Sequence, residues 1–172
     1  FSASMLALAM TVLLRACVSN APVWETVDDE LPLPVSARAP SSIVFAAPDG
    51  TVCQSFADTG TPQVYAAPDG SYEITACVLP TADADAAIEQ LTGFDAERVE
   101  KVATTRFSLP AYAFAWSAAG DEGTRVYRAE LLCDESFCYA LCFSVPAGSG
   151  TKYDSIQDAV FASFGLNHDE NF

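Results

Sequence analysis

Tyr112-Ala-Phe-Ala-Trp-Ser117, Arg125-Val-Tyr-Arg-Ala-Glu-Leu-Leu-Cys133 and Cys138-Tyr-Ala-Leu-Cys-Phe-Ser-Val145 decide the fold. Each run carries strand-like alternation, which sends successive side chains to opposite faces of a sheet. Gly120-Asp-Glu-Gly123 and Asp134-Glu-Ser-Phe137 separate the runs. Turns that short join antiparallel neighbours. With Val99–Phe107 before them, the runs form a meander of three or four strands. If Asp134–Phe137 is the loop, Cys133 faces Cys138, Leu131 faces Ala140 and Ala129 faces Cys142, all on one face. Directly opposed Cβ atoms lie ~4.5–5.5 Å apart, so Cys133 and Cys138 are a candidate cross-strand disulfide. Cys142 is two pairs further along, too far to share it.

Upstream, Ser42-Ile-Val-Phe-Ala-Ala-Pro-Asp-Gly-Thr51 is echoed by Gln63-Val-Tyr-Ala-Ala-Pro-Asp-Gly-Ser71. Pro fixes φ, Asp bonds its own backbone and Gly accepts positive φ, so both Pro-Asp-Gly triplets are turns. The expectation is two hairpins, 42–46 with 51–57 and 62–66 with 71–79. Cys53 and Cys77 fall on these neighbouring hairpins, a candidate second staple. Tyr72, Ile74, Ala76 and Val78 share one face; Cys77 lies on the other with Glu73 and Thr75, the less apolar side unless a helix covers it. Pro80 to Gly93 predicts a helix with Asp83 and Asp85 in its first turn and Gly at its end. Tyr153, Ile156, Val160, Phe161 and Phe164 predict a last helix, with Gly165 closing it. One mostly antiparallel sheet with helices packed on it is the α+β solution for residues 42–172.

Several segments in this order are similar to the PsbP-like fold and to small exported lipoproteins built on it. They are Leu91-Thr-Gly-Phe94, Thr104-Thr-Arg-Phe107, Tyr112-x-Phe114-x-Trp116-Ser-Ala-Ala-Gly120, Cys138-Tyr-Ala-Leu-Cys-Phe143 and Ala162-Ser-Phe-Gly-Leu166. The resemblance covers residues 70 to 166. It implies a central antiparallel sheet between helices, an α/β/α sandwich. It brings no catalytic residues, because known members are mainly accessory and assembly proteins.

The chain opens with a short apolar run, Met5–Leu14, ahead of Leu14-Arg15-Ala16-Cys17. A membrane span needs about 20 residues, so the run fits the apolar region of a signal peptide, residues 1–17. With no Met or basic leader ahead of it, it is expected to begin inside a longer gene product. Leu14-x-Ala16-Cys17 resembles the bacterial lipobox, in which the Cys receives diacylglycerol; Arg15 departs from that pattern. Ordinary cleavage after Ala16 fits less well, because Leu14 is large for a small-x-small site. Cys17 is therefore the expected lipidation site. Each buried lipid methylene contributes ~0.8 kcal/mol, so two or three acyl chains hold a protein stably. Residues 18–41, rich in Asp, Glu and Pro, read as a disordered tether, with Trp24 as a docking residue. The protein is expected outside the cytoplasmic membrane, anchored to the bacterial cell.

Composition narrows the partners. The chain is 51% hydrophobic and 11% aromatic, enough for one core. Its net charge is −15. Nucleic-acid binding needs a basic footprint, and there is none. Anionic headgroups repel such a surface, so membrane contact falls to the anchor. The acidity serves solubility or attracts cations or a basic partner.

No catalytic constellation is evident. The thiols lack Cys-x-x-Cys, and zinc would need the other thiols or the lone His beside them. His168 sits in an acidic tail, a poor place for a triad. Gly148-Ser-Gly-Thr-Lys152 has the wrong order for a phosphate loop. Asp83/Asp85 and Asp121/Glu122 suit caps and turns better than paired acids across a cleft. No cofactor or metal is expected. Tyr112, Phe114 and Trp116 share one strand face, as core packing or as a platform for a sugar or peptide. The expected function is a non-catalytic accessory, assembly or protein-binding lipoprotein. The alternative is an exported module binding a small molecule, glycan or peptide on the aromatic face.

Overall fold

The computed structural model describes residues 39–54, 62–120 and 123–167. The signal segment with Cys17, Trp24, the tether up to residue 38, Asp121/Glu122 and His168 lie outside the described residues. The alternating runs build a seven-stranded sheet in the order β2-β3-β4-β8-β7-β6-β5. Its strands are β2 (Val52–Cys53), β3 (Gln63–Ala66), β4 (Glu73–Leu79), β5 (Lys101–Arg106), β6 (Leu109–Gly120), β7 (Gly123–Cys133) and β8 (Cys138–Pro146). Every pairing is antiparallel. β8 lies at the centre and is buried from Cys138 through Ser144, as a strand covered on both faces must be.

One helix covers each face. Helix α1 (Ala84–Thr92) is capped by Asp83, whose carboxylate accepts from the backbone N–H of Asp85 (2.9 Å) and of Ala86 (3.5 Å). It ends at Gly93, whose φ of 73° is cheap only for glycine. Its Ala87 and Ile88 pack with Cys77, Leu79, Leu131, Ala140 and Cys142. So a helix does cover the Cys77 side of β4. Helix α2 (Asp154–Ser163) covers the other face, where Val160, Phe161 and Phe164 meet Ile74, Leu132, Leu141 and Phe143. Burying one such side chain contributes ~1.5–3 kcal/mol, which binds both helices to the sheet. The result is an α+β fold with the sheet between helices.

The β7–β8 register is the expected one: Cys133 opposite Cys138, Leu131 opposite Ala140 and Ala129 opposite Cys142. Cys133 and Cys138 are disulfide-bonded. Three expectations are corrected. Cys53 and Cys77 are not joined. Cys53 sits opposite Tyr65 of β3, and Tyr65 opposite Ile74 of β4, so a whole strand lies between the two sulfurs' strands. The first hairpin does not form either. Strand β1 (Ser42–Val44) pairs with β9 (Gly165–Asn167), Ile43 opposite Leu166, in a separate two-stranded sheet. The Pro48–Gly50 turn persists, with Thr51 N–H donating to Pro48 C=O at 3.1 Å, but the chain leaving it enters β2 at the sheet edge. Ile43 and Phe45 gain the α2-side core in exchange. Finally, Gly165 does not close α2. Phe164 is already extended at φ −62° and ψ 130°, and Gly165 begins β9. Ser41, at the end of the tether span, is buried, and its N–H donates to the Tyr139 hydroxyl at 3.0 Å.

Candidate functional site

Strand β6 is chemically two-faced. On the α1 side it presents Tyr112, Phe114 and Trp116, all in or against that core. Phe114 is buried. Trp116 is half-buried and stacks on Tyr127 of β7 with centroids 4.9 Å apart, and on Phe114 at 5.7 Å. Phe114 and Trp116 of the expected set therefore form a ladder with Tyr127 of the next strand, while Tyr112 packs against the same core outside it. Phe114 is core, and Tyr112, Trp116 and Tyr127 are each half-buried.

On the other side β6 presents Ala111, Ala113, Ala115, Ser117 and Ala119, because alternation sends its odd-numbered residues there. Two concavities open on this side. A cleft of about 540 Å³ lies between Phe107, Leu109, Phe164, Leu166 and Val44. A groove of about 430 Å³ runs over Ala113 and Ala115, beside Gln157 and Phe161 of α2.

Arg106 binds the sheet to α2 on the same side. Its Nη1 donates to Glu130 Oε2 (2.7 Å) and to the Phe161 carbonyl (2.8 Å), and its Nη2 donates to the Ala162 carbonyl (2.8 Å). These carbonyls belong to the last turn of α2, where a cation is favoured. The guanidinium also lies over the Phe107 ring at 5.2 Å and the Phe164 ring at 5.9 Å. Partial burial pushes the Glu130 carboxyl up, and Arg106 opposes that shift.

The turn carrying Phe107 is strained. Arg106 pairs with Leu109, leaving a two-residue loop. Phe107 has φ 51° and Ser108 φ 63°, a left-handed pair that normally selects Asn-Gly. An L-residue pays ~1–2 kcal/mol there. Phe107 is nevertheless 66% exposed, and Val44 43%. Sequence alone read Val99–Phe107 as one strand; without a glycine or asparagine, nothing marked this turn.

The thiols offer little nucleophilic chemistry. Burial pushes the Cys77 thiol up to about 11, and burial with Cys77 beside it raises Cys142 as well. A reactive thiol needs the opposite, a depressed value and access. The Tyr65 hydroxyl is raised by burial and by Cys53. Among the described residues no cluster of three or more His, Cys, Asp or Glu could hold a metal ion. No helix of the described residues is long and apolar enough to cross a membrane.

No protein-family model matches the chain, and no curated protein matches it by sequence. Solved structures share its fold at low identity. A protein from Bacteroides thetaiotaomicron is 11% identical, with 74% of this chain and 46% of that one covered, at a TM-score of 0.50. This chain thus spans less than half of that protein. PsbP (CyanoP) from Synechocystis sp. PCC 6803 is 13% identical, covering 76% and 96%, at 0.50. LpqN of Mycobacterium tuberculosis, involved in cell envelope biogenesis, is 15% identical, covering 76% and 87%, at 0.51. At these identities the likeness establishes a PsbP-like α+β fold.

Proposed function

We propose that this chain is an extracytoplasmic lipoprotein, moored by Cys17, that works as a non-catalytic accessory by binding a partner protein at the Phe107 cleft. The observation that carries the binding reading is an aromatic side chain kept in solvent, at the mouth of an apolar cleft, by a turn that disfavours it. Such strain persists where surrounding structure imposes it and often marks function. Exposed apolar rims mark interaction sites. LpqN, with the same fold, is involved in cell envelope biogenesis, which suits an address outside the cytoplasmic membrane. The mooring rests on the Leu14-Arg15-Ala16-Cys17 motif. Binding through Tyr112, Phe114 and Trp116 draws less support, because Phe114 is core and Trp116 stacks on Tyr127.

Two measurements test this. Intact mass of membrane-extracted protein should show diacylglycerol on Cys17; an unmodified thiol there removes the anchor. A photo-crosslinker at position 107 should capture one discrete protein in intact cells, while the same group at exposed Val52 on the far sheet edge should not. Equal capture at both positions, or none at 107, defeats the cleft as the docking site.

A further inference from the structure

We propose that two copies of this chain associate by pairing β5 with β5 antiparallel, which joins their sheets at that edge. β5 ends the seven-stranded sheet, and among the described residues no backbone bond from outside the sheet reaches it. Edge strands are normally guarded by charges, proline, a bulge or brevity. Brevity guards the opposite edge, where β2 has two residues. β5 has six, paired to β6 without a bulge and free of proline and glycine. Its two cations are turned onto their own chain, Lys101 to Asp85 beside α1 and Arg106 to Glu130 and the end of α2. Between them Val102 to Thr105 are uncharged and exposed, Val102 to 66%. Valine and threonine suit a pleated surface.

Backbone phase and charge select a second copy as the occupant. Arg106 and Leu109 flank the two-residue loop, and the pair that closes such a loop exchanges hydrogen bonds. Alternation then turns the N–H and C=O of Val102, Thr104 and Arg106 to β6, and those of Lys101, Ala103 and Thr105 outward. Pro110 fits that phase, since it faces Thr105 and has no N–H to donate to β5. Two outward rows bond only when an odd-numbered residue meets an odd-numbered one, so Lys101 never opposes Arg106 of the second copy. The register with Ala103 opposite Ala103 sets Lys101 against Thr105 and Val102 against Thr104. It also sets Glu100 against Arg106 of the second copy, twice by symmetry. Both side chains belong to the α2 face, since Glu100 lines the groove beside Val102 and Arg106 reaches α2. Opposite charges directly across a ladder stabilise it, and the other allowed registers lose this pair. Two copies at −15 repel at long range, a repulsion screened over ~8 Å at physiological ionic strength. None of residues 100–106 lines the Phe107 cleft, and the dimer needs no other protein, so it stands or falls separately from that site.

The test uses the full 172-residue chain with Cys17→Ser and Cys53→Ser, in about 0.15 M salt. A single strand pair is small beside the ~1,200–2,000 Å² of a standard interface, so the dimer is weak and reversible. Sedimentation equilibrium from about 10 µM to about 1 mM should show a monomer–dimer equilibrium. Ala103→Pro removes the central outward N–H and no bond to β6, a place where edge strands tolerate proline; it should weaken the dimer at least tenfold. Glu100→Arg should weaken it at least fivefold, while Glu135→Arg, the same change of charge in the β7–β8 loop, should not. Ala103→Cys should cross-link to itself under copper–phenanthroline oxidation, because opposed Cα atoms lie within disulfide reach. Thr104→Cys, offset from its own copy, should cross-link far less. Four outcomes overturn the proposal: a monomer at every concentration, a folded Ala103→Pro that dimerises as the parent does, equal effects of Glu100→Arg and Glu135→Arg, or equal cross-linking at 103 and 104. Should Ala103→Pro fail to fold, the charge reversals and the cross-links still decide.

Discussion

Replacing Ser108 by glycine should make the protein more stable, and the size follows from one dihedral. Ser108 sits at φ 63° in the two-residue turn between β5 and β6. An L-residue in that region costs ~1–2 kcal/mol. Glycine removes the cost but gives back ~0.4–1 kcal/mol through the added freedom of the unfolded chain. The net gain is about 0.5–1 kcal/mol. Urea slopes for small domains are about 1–3 kcal/mol/M, so the midpoint should rise by about 0.2–1 M. Ser108→Val should move it the other way by a similar amount or more, because a branched Cβ is worst at positive φ. Urea titrations followed by tryptophan fluorescence read both. If Ser108→Gly leaves the midpoint unchanged or lowers it while Ser108→Val is harmless, the turn does not hold positive φ and the strain at the cleft mouth does not exist. The functional half is separable: Phe107→Ser should cost little stability, since the ring is 66% exposed and gives up mainly its ~0.5–1 kcal/mol contact with Arg106, yet it should end capture by a photo-crosslinker placed at exposed Val44 on the same cleft.

Arg106→Gln should destabilise by about 2–3 kcal/mol, because it leaves the half-buried Glu130 unpaired and frees two carbonyls at the end of α2; adding Glu130→Gln should recover part of the loss in a double-mutant urea cycle. Alkali should destabilise through Cys77. Its thiol titrates near 9.0 when unfolded and at about 11 when folded, so its contribution is intact below pH 9 and falls by ~1.4 kcal/mol per unit above it. Between pH 8 and 10.5 Cys77→Ala should therefore lose about 2 kcal/mol less than the parent, whereas equal losses would mean an exposed thiol. Cys133→Ala with Cys138→Ala should cost about 2 kcal/mol for a cross-link of sequence separation 5, read as a lower urea midpoint that reducing agent no longer changes.

By itself the sequence determined what local periodicity can carry. Alternation and turn chemistry located the meander, the second hairpin and both helices, and the short Asp134–Phe137 loop set the register that places Cys133 against Cys138. A hairpin of so few loop residues has little freedom to pair otherwise. Tertiary structure decided everything that depended on distant segments. Ser42–Val44 had an equally good local partner after Pro48-Asp49-Gly50, yet it pairs with Gly165–Asn167 about 120 residues away, because that pairing buries Ile43 against the α2-side core. The same packing opened the candidate sites. The aromatics of β6 were legible as one face, but whether a helix covered them was not. Gln157 looked like any polar residue on an amphipathic helix. Only the lay of α2 across the sheet put it over Ala113 and Ala115, because burial is a property of the assembled faces and not of a residue's neighbours in the chain.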